Sequence, residues 1–374
     1  MEDYILKHII DETIFTGFSM PRVSDGWSEC GPININRYNH YTVKDGTYFD
    51  ESKVIDEYSI YLKPNDNKDD SSDTNIDDEE DNTTIEVTSL SDLYELINNS
   101  NEDISISYND SNSKIIDQVT IDKGNKVEIK LESNIDSEGN VGGNGRLFQV
   151  NNGELVINGD NNTITASSDS YGVFRVEDTG KLEINDTTLV NSKGWGLNVK
   201  VLGGIATLND VTINSTTGGG IEVTEKTLGT NSQPGLATLN NCTFTQTEYK
   251  DHCSTCLSVS GGSKLIVNSG TYISENYCIY VFSSGGFVEI YDGYFEGKNK
   301  YCIIAQIDTN TYPSYSGGLQ IHGGTFKGDI HIVSPVYMII DGGSFSFDPT
   351  DYIDSTKSKV TFNNTTNLYE VTKL

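Results

Sequence analysis

ATLNNCTFTQ (Ala237–Gln246) and LIVNSGTYIS (Leu265–Ser274) follow one template, with an aliphatic residue third, Asn fourth and an aromatic ring eighth. The template recurs from Leu155, Leu182, Ala206, Val288, Leu319 and Met338, at spacings of 19 to 31 residues. A constant strand at variable spacing means that loops absorb the insertions, the mark of a repeat architecture. Ile157, Ile184, Leu208, Leu239, Val267, Ile290, Ile321 and Ile340 read as one inward ladder; Leu189, Ile213, Phe244, Tyr272, Phe295, Phe326 and Phe345 read as a second. Between them, Asn158, Asn185, Asn209, Asn240 and Asn268 predict turn amides hydrogen-bonded along the stack.

A second strand in each repeat alternates with period two. Phe174/Val176, Leu197/Val199, Ile221/Val223, Leu257/Val259, Ile279/Val281, Ile303/Ala305 and Ile330/Ile332 point inward; Arg175, Asn198, Glu222, Ser258, Tyr280, Ile304 and His331 point out. One repeat cannot bury its apolar ladder alone, so neighbours stack at roughly 4.8 Å per coil. The expected fold is all-β, a parallel β-helix (solenoid) of about nine coils counted from Val127, a rod roughly 40 Å long. Its open ends need covers. Ser89 with Asp92 reads as a capping box, and Leu90, Leu93, Tyr94 and Ile97 form an apolar stripe, so a helix is predicted to plug the first coil. Pro349 and the polar tail are expected to cover the last.

Composition agrees with this and narrows the function. Hydrophobic residues are only 35%, but 21 Tyr and 13 Phe supply strand formers, which excludes a helical bundle. The formal net charge of -30 and only four Arg argue against nucleic acid, whose binders release counterions with clustered cations. The opening MEDYILKHIIDETIF has no apolar run of signal-peptide length, and no stretch has the length of a membrane span, so no membrane partner is expected. The chain divides into residues 1–62, an acidic linker at 63–84, a cap at 85–126, the solenoid at 127–348 and a C-terminal cap at 349–374. Residues 64–84 hold nine acids and one Lys, a solvated tether.

The run SLSDLYELINN, VTIDKGNKVEIKLESNI and GNGRLFQVNNGELVINGDNNTIT resembles the opening of right-handed parallel β-helix proteins of the pectate-lyase-like superfamily. LIVNSGTY, VEIYDGYF, LQIHGGTF and IIDGGSFSFDPTDYI resemble coils of surface and virion proteins of gut bacteria and their phages, head-fibre proteins among them. The resemblance covers about residues 85–374 and implies the right-handed winding. One superfold hosts enzymes, adhesins and fibres alike, so it implies function only by analogy.

Enzymes of this fold degrade polysaccharides with paired carboxylates, or with a base beside bound calcium. Glu183 and Glu289 are four coils apart, roughly 19 Å, too far to cooperate. Asp186 and Asp210 lie in successive coils, roughly 5 Å apart, a spacing that suits a retaining pair or a cation, but Asp at a turn serves the backbone and the structural reading is preferred. Arg146 and Arg175, the solenoid's only arginines, stand beside no evident acidic cluster. No catalytic residue is expected. His252, Cys253 and Cys256 (HCSTC), with Cys242, give a weak zinc spacing; against it, Cys256, Cys278 and Cys302 share one register as a buried ladder. No metal or cofactor is expected, and all six cysteines, Cys30 included, are expected reduced. His8, His40, His322 and His331 read as isolated surface residues.

Eight of the 21 tyrosines fall between Tyr272 and Tyr315. By register Tyr280 and Tyr291 are exposed, with Ile304 nearby, and exposed aromatic clusters mark contact sites, here a subunit interface in preference to a glycan site. The expected function is a non-enzymatic bacteriophage fibre: a projecting rod on the virion surface, an acidic tether, and residues 1–62 docking on a capsid or other virion protein through Arg22, Trp27 and Arg37. Such fibres are symmetric oligomers, trimers or dimers. The alternatives are a tailspike-like depolymerase and a glycan-binding adhesin.

Overall fold

The computed structural model describes residues 84–374, except 111–113, 116–117, 138–145, 167–171, 192–196, 217, 229–230, 249–254, 283, 306–316 and 333–336. Segment 1–62, nearly all of the linker, Arg22, Trp27, Arg37, Cys30, His8, His40, His252 and Cys253 lie outside the described residues.

The chain is wound as a parallel β-solenoid of about seven turns. Its first sheet has eleven strands, from Ile85–Val87 through Ile104–Tyr108 and Lys126–Leu131 to Gly318–Ile321 and Tyr337–Ile340, each neighbour parallel. The predicted aliphatic ladder runs its whole length: Ile85, Ile106 and Ile129 pair in register and lead into Ile157 and on to Ile340. All of these except Ile85 are buried.

The second sheet carries the aromatic ladder. Tyr272, Phe295, Phe326 and Phe345 stack face to face with centroids 5.0, 4.8 and 4.9 Å apart, the spacing that neighbouring strands impose. Phe244 meets Tyr272 edge-on at 5.3 Å. The turn before each ring explains the Gly-Gly-Thr/Ser-Phe spelling. Gly324 and Gly343 have φ of 98° and 103°, and a Cβ on Gly343 would stand 3.2 Å from the Phe345 ring. The preceding Gly342 passes so near the coil below that its Cβ would lie 2.0 Å from the His322 carbonyl oxygen. In earlier coils the left-handed residue comes one place sooner and is Asp186, Asp210 or Asn241, types that tolerate it.

In the second strand of each coil the expected register slips once. Phe174 pairs with Val199 and Val176 with Val201, so the inward pair is Val199/Val201, not Leu197/Val199. The outward residue there is Lys200, which reaches Glu222 at 3.2 Å. Asn198, expected outside, is buried and donates its amide to the Gly219 carbonyl. A two-residue slip preserves alternation, so periodicity alone cannot detect it.

The helix Leu90–Asn99 forms as predicted, with the Ser89 hydroxyl accepting from the Asp92 N–H at 3.0 Å. Leu90, Leu93 and Ile97 are buried; Tyr94, expected in the stripe, is exposed. Two insertions modify the winding. The antiparallel hairpin Lys226–Leu228/Asn231–Gln233 stands off one coil. The hairpin Ser358–Asn363/Leu368–Lys373 joins the second sheet, its last strand antiparallel to Ser344–Phe345. No helix among the described residues is long and apolar enough to cross a membrane.

Candidate functional site

The fourth position of the template organises the outer edge of the first sheet. Asn268 donates its amide to Asn240, Asn240 to Asn209, Asn209 to Asn185 and Asn185 to Asn158, at 2.6 to 2.9 Å. Asn158 ends the chain on the Glu128 carboxylate at 2.9 Å. Each amide uses its own oxygen to accept from the next coil, so the ladder is polarised along the stack.

In the last three coils the same position is Tyr291, His322 and Asp341, and here the chemistry changes. His322 Nδ1 lies 2.8 Å from Asp341 Oδ1, and its Nε2 lies 3.5 Å from Glu289 Oε1. Tyr291 donates its hydroxyl to Glu289 at 2.8 Å, and its ring lies 5.1 Å from the imidazole. Lys264 Nζ reaches Glu289 at 2.8 Å, and Lys373 Nζ, from the C-terminal strand, reaches Asp341 at 3.0 Å. The hydrogen bond from Lys264 holds the Glu289 carboxyl below its ordinary range; burial opposes this and the Tyr291 hydroxyl adds to it. For Asp341, burial raises, but hydrogen bonds from His322 and Lys373 outweigh it and hold the carboxyl low. Donation to Glu289 raises the Tyr291 hydroxyl. The result is two ionised carboxylates bracketing an imidazole, beneath a tyrosine ring that is 48% exposed. Such a surface offers a flat aromatic face ringed by hydrogen-bonding groups.

The predicted contact residues do not form one patch. Tyr291 follows a first-sheet strand, whereas Tyr280 and Ile304 pair with each other in the second sheet. Nor are Tyr280 and Ile304 exposed: they are 9% and 7% accessible. Tyr280 is packed beside Tyr277 and edge-on to Phe282 at 4.4 Å, so aromatic neighbours on the outer face cover what register alone leaves open. His322, expected to be isolated, is the centre of the network; His331 is exposed and stacks on Tyr301 at 4.8 Å. Reading the fourth column past Asn268, through Tyr291 and His322 to Asp341, was the signal for this network.

Glu183 and Glu289 are four strands apart, as expected. Asp186 and Asp210 occupy left-handed turn positions, and Asn241 donates to Asp210 at 2.6 Å. Arg175 does meet acids: it pairs with Glu177, which Lys226 also reaches at 2.6 Å while bonding Asp178 at 2.8 Å. The backbone at Cys256, Cys278 and Cys302 stacks in register, as the Leu257 N–H donates to Cys278 and the Cys278 N–H to Cys302. These thiols and that of Cys242 are buried and free. Burial pushes Cys242 up to about 12, and burial first, then its thiol neighbours, raise Cys278. Cys242 donates to the Leu208 carbonyl and Cys256 to the Ile273 carbonyl. Among the described residues no group of three or more His, Cys, Asp and Glu is arranged to hold a metal.

No protein-family model, curated protein or solved structure matches the chain.

Proposed function

We propose that this chain is a non-enzymatic structural protein of a bacteriophage particle, a head fibre or capsid-decorating fibre that projects its solenoid from the virion surface. The observation that carries this reading is the continuity of the ladders: one aliphatic column spans all eleven strands of the first sheet, and four rings stack in the second. Nearest-neighbour stacking of this kind makes a stiff spacer that needs no ligand to hold it. Counted from Val127, the rod would comprise nine right-handed coils, with the helix Leu90–Asn99 as the plug of its first end.

In this reading the segment 1–62, through Arg22, Trp27 and Arg37, docks on a capsid or other virion protein, and the acidic tract is the tether. Copies associate as a trimer or dimer, and the exposed Tyr291 face meets a neighbouring subunit or a host-surface glycan. The test is mass spectrometry and electron microscopy of purified particles, with the chain expected in them as a projecting appendage. Absence from particles overturns the reading. So does polysaccharide release by the purified protein that Asp186→Ala and Asp210→Ala abolish while the fold persists.

A further inference from the structure

The asparagine ladder of the first sheet stops at Asn268 and leaves an acceptor unused. Asn268 donates to Asn240, but the next side chain in the column is Tyr291, whose hydroxyl turns along its own strand to Glu289. The Asn268 oxygen therefore accepts from no described residue, and the residue is exposed. On the other side of the Tyr291 ring, His322 stands 5.1 Å away and is itself held by Asp341 at 2.8 Å. Gln320, the in-register neighbour of Glu289 on the same outer face, has an amide that bonds to no described residue. Tyr291 is thus a ring held at its hydroxyl and at one flank, 48% exposed, between a free acceptor and a free amide. The turns that follow this column, 269–270, 292–293 and 323–324, are short and described, and 269–270 and 292–293 bring no loop over the ring.

The surroundings select the occupant. Glu289, Asp341 and the exposed Asp292 put three carboxylates near the ring, and the nearby lysines, Lys264 and Lys373, are already paired with Glu289 and Asp341. An acidic ligand meets repulsion there. A second copy of the chain would bring the same carboxylates and a formal charge of -30 to the contact. Area argues the same way, since one aromatic side chain buries about 150–250 Å², against about 800 Å² per partner in a stable protein interface. Tyr337, the other strongly exposed ring of this sheet, is two coils on and at the opposite end of its strand. What fits is one flat, neutral group with an apolar face and a polar rim. A pyranose has this form: its C–H bonds stack on the electron-rich face of a ring, and its hydroxyls both donate and accept.

We propose that Tyr291 is the stacking platform of a binding subsite for a neutral glycan, with Asn268 accepting from a sugar hydroxyl and Gln320 serving as donor or acceptor. The inference rests on the reading of the Tyr291 face as a contact surface and is independent of the virion assignment.

The test is saturation-transfer NMR and isothermal titration of the full-length protein with pentasaccharides of glucose, mannose, galactose and N-acetylglucosamine, and with a galacturonic acid pentamer. At least one neutral oligomer is expected to bind saturably, and the acidic one is not. Tyr291→Ala is expected to weaken binding about tenfold or more, whereas Tyr291→Phe, which keeps the ring, stays within about threefold. Gln320→Ala is expected to weaken it about threefold. Binding of no neutral oligomer, equal binding by the wild type and Tyr291→Ala, or preference for the acidic oligomer overturns the proposal. So does concentration-dependent association in sedimentation that Tyr291→Ala abolishes, which would keep the face as a contact surface but assign it to a second copy. With neither glycan binding nor association, the contact reading of the face falls as well.

Discussion

At the scale of single residues the solenoid is specified by a few positions that recur. Asn209 both donates to Asn185 and accepts from Asn240. Two net hydrogen bonds of about 1 kcal/mol each set the expected cost of Asn209→Ala at about 2 kcal/mol in urea denaturation. Gly342→Ala should cost more, since its Cβ would overlap the His322 carbonyl and only backbone movement can relieve it. A loss of about 3 kcal/mol or more is expected by the same measurement. Phe326 stacks on Phe295 below and Phe345 above, so Phe326→Ala should cost about 3–5 kcal/mol. Asn209 and Phe326 were legible in the sequence because each recurs in register; the close approach that demands glycine at 342 is set by the backbone of the neighbouring coil. Tyr280 was misread because exposure depends on which side chains lie alongside, and the rings of Tyr277 and of Phe282, two residues on along the same face, pack against it.

Two clamps hold individual elements. Lys226 ties the inserted hairpin to Glu177 and Asp178 of an earlier coil, and Gln233 donates to the Gly203 carbonyl at 2.8 Å. Lys226→Met removes the charge and keeps the stem, so hydrogen exchange should quicken in the hairpin and at Gly203 while the distant ladders hold. The second clamp joins the last three coils to the C-terminal strand through Glu289, His322, Asp341 and Lys373. Both carboxyls are held below their ordinary values of 4.5 and 3.8, so their contribution is full above those values and is lost as pH falls through the lowered ones. Protection of the Leu368–Lys373 amides, taken relative to the intrinsic exchange rate at each pH, should therefore fall as pH is lowered from about 5 to about 3. Asp341→Asn should flatten that dependence; an unchanged profile would remove Asp341 from the clamp.

Across the whole molecule, stability is close to a sum over neighbouring coils. Leu208→Ala, in the middle of the aliphatic column, should loosen Lys181–Asn185 and Leu236–Asn240, the two strands it pairs with, before either end of the stack. Protection lost evenly along the chain would instead mean one cooperative unit. The sequence by itself determined the parallel winding, the inward columns and the asparagine ladder. All of these follow from periods short enough to be read within one coil and compared with the next. Only the tertiary structure decided the register at Val199 and Val201, the partners of His322 and Lys226, and the C-terminal hairpin that extends the second sheet past Ser344–Phe345. Those depend on how far each loop lets its coil slide and on where two insertions fold back, and a repeat pattern, blind to shifts of two residues and to loop paths, does not carry that information.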